Sequence, residues 1–325
     1  MTRERWTLAA LVPMPAEAVR GFAPDLPVDV VVPEERTPDG ARAAVAEADL
    51  LLGDFTALLR VDRDLLAAAP RLAFVQQPTV GVEHIDLAAC AERGIPVANT
   101  AGVNAVGVAE WCLAAALAVS RSLLWADAEV RAGRWPQLEL AARGSLELTG
   151  RRVGLVGYGA IGAACAERFR ALGCAVRYWT RTPRADAAFA SLDDLLATSD
   201  VLVVVVALGD ETRGLLTEER LRALPQGAVL VNAARGGIVD EAAVVRLLDE
   251  GRLLGAAFDV FEREPLPEGS PLRHERVLLS PHGAGATVQA RLRIAVAVQE
   301  NLRRAVTGEP VHDVVNGVDA RIRRR

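Results

Sequence analysis

Short apolar runs alternate with segments in which apolar residues return every three or four positions, from one end of the chain to the other. The runs at 7–12, 28–32, 50–52, 72–76 and 96–98 predict buried strands, and the patterns at 39–48 and 62–69 predict helices between them. Strands separated by helices of that length pair in parallel βαβ units. Thr100-Ala101-Gly102 closes this first series. A long helix over 105–121 and a second over 123–132 come next. Gly150 then opens another series, with strands at 152–156, 175–179, 201–206, 228–231, 255–258 and 277–279, ending near His282. A last helix over 287–305 starts on Thr287, a good capping residue, and is long enough to carry the chain back. The pattern predicts an α/β protein of two domains, one made of residues 1–101 with 288–325 and one of residues 102–287 inserted into it.

Length agrees, because 325 residues exceed what one hydrophobic core holds well. A 51% apolar, 24% charged chain has the material for large cores and a solvated surface, which argues against disorder. The net charge of -5 gives no electrostatic case for nucleic acid or an anionic membrane, and the basic end Arg321-Ile322-Arg323-Arg324-Arg325 reads as a solvated tail. The start, Met1-Thr2-Arg3-Glu4-Arg5-Trp6, has no signal-peptide pattern. No stretch is apolar enough to span a bilayer, since the most apolar helix carries Glu110 and is short. Cys90, Cys112, Cys165 and Cys174 form no CxxC pair, so a reduced, cytoplasmic protein is expected. No spacing of Cys, His and carboxylates resembles a metal site. The chain contains no lysine, which excludes Schiff-base chemistry.

The first chemical signal is Gly157-Tyr158-Gly159-Ala160-Ile161-Gly162, set between the strand at 152–156 and a helix. In that context Gly157 permits a tight turn, Gly159 lets the backbone approach a pyrophosphate and Gly162 lets helix and strand pack closely. The diphosphate then lies on the free N–H groups of the helix N-terminus. An NAD-binding protein places Asp or Glu after the second strand to accept the ribose 2′-OH. Here that position is Thr180, followed by Arg181, Thr182, Pro183 and Arg184. Arginines with hydroxyls suit a 2′-phosphate, so NADP is the expected cofactor and NAD the alternative.

Three polar residues follow later strands: Arg235 in Asn232-Ala233-Ala234-Arg235-Gly236, Glu264 after Asp259-Val260-Phe261-Glu262-Arg263, and His282 after Ser280-Pro281. In an open parallel sheet, ligands bind beyond the carboxyl ends of the strands. Carbonyl reduction needs a proton donor that works near neutral pH, which histidine is, and a carboxylate beside it stabilises the imidazolium. Arginine holds a carboxylate through two hydrogen bonds. His84, His274 and His312 lack such a setting and read as surface or structural residues.

With these residues in view the chain resembles the D-isomer-specific 2-hydroxyacid dehydrogenases over nearly its whole length. The matching motifs are Val80-Gly81-Val82-Glu83-His84-Ile85-Asp86, Arg93-Gly94-Ile95-Pro96-Val97-Ala98-Asn99, Val108-Ala109-Glu110, the glycine-rich turn, Glu211-Thr212-Arg213-Gly214, Asn232-Ala233-Ala234-Arg235-Gly236, Asp259-Val260-Phe261 with Glu264-Pro265-Leu266, and Ser280-Pro281-His282. The resemblance implies a flavodoxin-like split catalytic domain and an inserted, NAD(P)-binding Rossmann domain. It implies that His282 gives a proton to the 2-oxo oxygen, Glu264 pairs with it and Arg235 holds the carboxylate. It also implies that the backbone at Val80 and Gly81 touches that carboxylate, that Ala207, Thr212, Ala233 and Asp259 lie along the cofactor, and that the chain forms a homodimer through the helix after residue 102.

Three features depart from the pattern. Thr180 stands at the acidic position, as in the NADP-preferring glyoxylate and hydroxypyruvate reductases. Val205-Val206-Ala207 replaces a His-x-Pro, and Gly283-Ala284-Gly285 follows the histidine without a bulky residue. Val80 stands where phosphite dehydrogenases carry lysine. The leading expectation is an NADP-linked 2-oxo acid reductase acting on a small-molecule substrate. An NAD-linked D-2-hydroxy acid dehydrogenase is the second reading, and a dinucleotide-sensing binding protein is the rival from another class.

Overall fold

A computed structural model describes residues 5–324, so Met1–Glu4 of the start and Arg325 of the basic end lie outside the described residues. The chain divides into two compact units, Met1–Val103 with Val288–Arg325, and Asn104–Thr287.

The first unit opens with β1 (Trp6–Ala10), α1 (Ala16–Arg20), β2 (Val28–Val31), α2 (Pro38–Val45), β3 (Leu50–Leu52), α3 (Arg63–Ala68), β4 (Phe74–Gln76), α4 (Leu87–Glu92) and β5 (Val97–Ala98). Its five strands are all parallel, in the order β2-β1-β3-β4-β5, the flavodoxin-like arrangement. β3 and β4 are buried on both faces, which is why Leu50–Leu52 reads as an unbroken apolar run and β4 is broken only by buried Gln76 at its end.

The second unit holds α5 (Ala105–Ser120), α6 (Leu123–Arg131), α7 (Gln137–Ala142), β6 (Arg152–Val156), α8 (Ala160–Ala171), β7 (Ala175–Trp179), α9 (Leu192–Thr198), β8 (Val201–Val204), α10 (Glu218–Arg222), β9 (Ala228–Asn232), α11 (Glu241–Asp249), β10 (Leu253–Phe258) and β11 (Val277–Leu279). Its six strands are parallel in the order β11-β10-β9-β8-β6-β7. The chain leaves β6 for β7 on one side and returns to β8 on the other. The switch point therefore lies between β6 and β8, where a doubly wound sheet opens its crevice. One core packs α9, α10 and α11 on one face of this sheet, and another packs α5 and α8 on the other face. Cys112 of α5 and Cys165 of α8 meet in the latter. Their mutual hydrogen bond, together with burial, pushes the Cys112 thiol well above its ordinary range, as expected of an inert packed thiol.

The last helix, α12 (Val288–Thr307), belongs to the first unit. Buried Asn301 of α12 donates to Gln76 Oε1 at 2.8 Å and exchanges bonds with the His312 backbone, tying the helix to the end of β4. Asn316 spans the edge strand β5, accepting from Val97 N and donating to Ile95 O. Among the described residues no single helix is long and apolar enough to cross a membrane.

Some boundaries differ from the sequence pattern. β4 begins at Phe74 rather than 72, β8 ends at Val204 rather than 206, and the last helix begins at Val288, one residue after Thr287. Beyond β8 the backbone turns past Gly157, whose φ is +108°; a Cβ there would meet Val206 N at 2.7 Å. Helices α1, α4, α7, α9, α10 and α11 were not foreseen.

Candidate active site

The glycine-rich turn shows the three roles separately. Gly157 needs its positive φ and its missing Cβ to pass the end of β8. A Cβ on Gly162 would lie 2.3 Å from Gly157 O, so the helix sits directly on the turn only because that position is glycine. A Cβ on Gly159 meets nothing within 4 Å, so this glycine faces open space. Gly159 caps α8, a helix of 12 residues whose first-turn N–H groups, from Ala160, Ile161 and Gly162, carry no partner among the described residues. An open glycine before bare helical N–H groups fits a dinucleotide diphosphate.

After β7 comes the loop 180–186, which carries Thr180, Arg181, Thr182 and Arg184. Thr180 Oγ1 donates to Thr182 O at 2.8 Å, which folds the loop back on itself. Arg181 lies 3.7 Å from Glu211, both well exposed, so the pair is weak and easily displaced. Arg184 lies over Tyr158 and Tyr178, 5.7 and 5.9 Å from the ring centroids. Those rings stack at 3.8 Å and 10°, and the Tyr178 hydroxyl bonds Asp186. This stack escaped the sequence reading. Its signal was the Tyr between the first two glycines together with the Tyr in β7.

Ala207 is exposed at the end of the run after β8. Thr212 is fully buried: its hydroxyl donates to Ala207 O and accepts from Gly209 N, both at 2.8 Å. Thr212 therefore shapes the loop beneath Ala207, and its side chain is spent there. Ala233 follows β9 and is half-buried.

Arg235, Glu264 and His282 come together beyond β9, β10 and β11. Asn232 shapes the first turn, accepting from Ala234 N and donating to Arg235 O. Gly236 then passes so close to Phe261 O that a Cβ would lie 1.9 Å from it, which brings the Arg235 turn against the segment leading to Glu264. His282 Nδ1 and Glu264 Oε2 are 2.8 Å apart, and Phe261 N donates to the other Glu264 oxygen at 3.0 Å. Burial pushes the Glu264 carboxyl up, but the His282 and Phe261 hydrogen bonds and the Arg235 charge outweigh it, so Glu264 sits below the usual carboxylate range. An ionised carboxylate only accepts, so Nδ1 carries a proton and Nε2 is left for other work.

The histidine is held in an unusual backbone state, φ +53°. For a non-glycine residue this is strained and persists only where the surroundings impose it. Asp259 imposes it. This buried carboxylate accepts from Ser280 Oγ (2.5 Å), Gly283 N (2.8 Å) and Ala284 N (2.8 Å), while His282 N donates to Asp259 O at 2.8 Å.

In the first unit, Val80 and Gly81 lie in the turn after β4. Thr79 O accepts from Thr100 N, Val80 O from Asn99 Nδ2 and Gly81 O from Thr79 Oγ1, at 3.2, 2.7 and 3.0 Å. A trans peptide points its C=O and the following N–H in opposite directions. The N–H groups of Val80, Gly81 and Val82 are therefore turned away from those partners, and among the described residues they donate to nothing. Consecutive backbone N–H groups without an internal acceptor are donors of the kind that can bind an anion. His84, just beyond, is buried with Nε2 unpartnered, and burial pushes its pKa down, as for a neutral structural histidine rather than a surface one.

With this geometry in view, known proteins give the same answer. Residues 113–284 match the model of the D-isomer specific 2-hydroxyacid dehydrogenase NAD binding domain. The chain belongs to that family. A glyoxylate reductase of Aeropyrum pernix is 40% identical over 289 residues, 85% of each chain, and one of Thermofilum pendens is 40% identical over 267 residues, 79% of this chain and 78% of that one. The crystal structure of the TT0316 protein from Thermus thermophilus superposes with a TM-score of 0.83 at 36% identity, over 95% of this chain and 99% of that one. The fold is that of the two-domain dehydrogenases of the family, with a nicotinamide-dinucleotide domain carrying Arg235, Glu264 and His282.

Proposed function

We propose that the chain is an NADPH-linked 2-oxo acid reductase of the glyoxylate and hydroxypyruvate type. The observation that carries this reading is the 2.8 Å pair of His282 and Glu264 beside Arg235, at the strand ends of the dinucleotide domain. The names of two relatives at 40% identity, both glyoxylate reductases, support the substrate class. The bound nicotinamide dinucleotide supplies the hydride. His282 Nε2 gives the proton that the reduced carbonyl oxygen takes up. Glu264 holds the ring through Nδ1 and balances the imidazolium charge while the proton is held. Arg235 takes the substrate carboxylate through its guanidinium. In the first unit, the bare N–H groups of Val80–Val82 would suit a carboxylate. Gly157, Gly159, Ala160, Ile161 and Gly162 would hold the diphosphate, with Ala207, Ala233 and Asp259 toward the nicotinamide end. Thr180, Arg181, Thr182 and Arg184 would take the 2′-phosphate. The lack of any carboxylate at Thr180, and the readily displaced Glu211 beside Arg181, support NADP over NAD.

We also propose a homodimer. Leu123, Leu124, Val130, Trp135 and Leu138 of the α6–α7 region are about half exposed or more, with Trp135 at 79% and Leu138 at 83%. An apolar surface of that kind on a charged chain suits a second copy.

His282→Ala is the test of the chemistry. It is expected to lower kcat by a factor on the order of 10²–10⁴ while NADPH binding persists. Near-wild-type kcat in this variant would remove His282 from the mechanism.

A further inference from the structure

The outward set of the Val80–Val82 amides is not a property of the turn itself. It follows from where three carbonyls are drawn, and side chains draw two of them. Val80 O is held by Asn99 Nδ2 at 2.7 Å, and Gly81 O by Thr79 Oγ1 at 3.0 Å. Thr79 is in turn oriented by Gln77, whose Nε2 lies 2.7 Å from the hydroxyl oxygen. An amide nitrogen only donates, so the Thr79 oxygen accepts from Gln77 and its own proton is committed to Gly81 O. The result is a directed chain of hydrogen bonds, each link polarising the next.

The supports are fixed from below. Gln77 is fully buried, and its Oε1 sits where a Cβ on Gly53 would come within 2.1 Å. Gln77 N donates to Ala98 O at 2.7 Å, and Asn99 beside it is buried, with only 7% of its surface accessible. If Asn99 were reversed, its oxygen would face the Val80 oxygen, so the amide orientation is set by the contact itself.

We infer that Gln77, Thr79 and Asn99 are positioning residues that keep the amides of Gly81 and Val82 turned to receive the substrate carboxylate, Asn99 through Val80 O and Thr79 through Gly81 O. This rests on the proposal that those amides bind that carboxylate. The three residues do not touch substrate; they set a peptide orientation. Without the bond to Asn99, the Val80–Gly81 peptide is free to rotate and present an oxygen to the anion in place of an N–H. A carboxylate is held equally in ground and transition states, so losing its site raises KM and spares kcat.

The test uses the full chain with reduced dinucleotide. Thr79→Val removes both hydroxyl bonds at nearly constant shape, Thr79→Ser keeps both, and Asn99→Asp replaces the donor with an acceptor. Thr79→Val and Asn99→Asp are expected to raise KM for glyoxylate roughly ten- to a hundredfold, the effect of one charge-assisted hydrogen bond, with kcat and dinucleotide affinity little changed. Thr79→Ser should restore KM close to the wild-type value. In parallel, the backbone amide resonances of Gly81 and Val82 are followed as oxamate, a carboxylate analogue of the substrate, is added. The expected result is a shift of both in the wild type, lost at Gly81 in Asn99→Asp and at Val82 in Thr79→Val. Amides that do not respond to oxamate in the wild type would overturn the carboxylate site and the inference with it. A wild-type response retained in both variants, with KM unchanged, would overturn the inference alone. Equal losses in Thr79→Val and Thr79→Ser would also overturn it, since they would show a packing role rather than a bond.

Discussion

At the scale of single residues, Glu264 is the group whose ionisation the structure describes most fully. Its carboxyl is pulled below the usual range by His282, by Phe261 N–H and by the charge of Arg235, against the opposing effect of burial. Its folded-state pKa is therefore depressed. The stability it contributes is complete above the unfolded value near 4.3 and is lost only as pH falls through the lower folded value. No activity loss between pH 7 and 5 should trace to Glu264, and a carboxyl titration followed by NMR should place its midpoint below that of a free Glu. A midpoint above it would contradict the pairing. Glu264→Gln is expected to lower kcat by roughly two orders of magnitude, because the ring loses both its orientation and the charge that stabilises the imidazolium. Arg235→Ala should raise KM for the oxo acid by loss of the carboxylate contact and lower kcat as well, because its charge also holds Glu264 ionised beside His282; unchanged kinetics would leave Arg235 a structural residue. These residues were legible in the sequence because each lies within six residues of the end of an apolar strand. The role of Asp259 as the clamp on the His282 loop was not legible. It depends on two residues 21 positions apart meeting, Asp259 and Ser280, and on a positive φ that no composition announces.

Among the elements, the strands were read to within two residues at each end, while α1, α4, α7, α9, α10 and α11, of five to nine residues, passed unseen. The reason is physical. A strand buried on both faces declares itself by an unbroken apolar run, but α4, α9 and α10 are too short to show a period. Each starts instead on a capping side chain, Asp86, Ser191 or Thr217, that accepts from a first-turn N–H. The loop after β7 yields a prediction at this scale. Arg181→Ala should raise KM for NADPH about tenfold and leave NADH nearly unaffected; an equal effect on both would dismiss the 2′-phosphate contact. The far end of α12 yields another. Glu300 and Glu309 are both held at about 2, chiefly by hydrogen bonds from Arg303. Their contribution to stability is present above the ordinary Glu range and lost as pH falls through about 2. Thermal melts should show Glu300→Gln destabilising at pH 6 and nearly neutral at pH 2. A difference that persists at pH 2 would show that packing, not charge, holds the helix end.

For the whole molecule, the compact units divide at 103–104 and 287–288, and each division falls between an element that completes one sheet and an element that packs on another. The proposed homodimer rests on the exposed apolar residues of the α6–α7 region, which a linear pattern cannot tell from core. Light scattering should give twice the 34.5 kDa of one chain, and Leu138→Asp should shift it toward one. A monomeric wild type would remove the dimer from the account.

The measurement that tests the central claim most directly is oxidation of NADPH and NADH, side by side, with glyoxylate, hydroxypyruvate, pyruvate and a branched 2-oxo acid. The account predicts turnover that favours NADPH, with glyoxylate or hydroxypyruvate the better substrates. Dinucleotide binding without turnover on any of the four would contradict it and point to a sensing role for the same site.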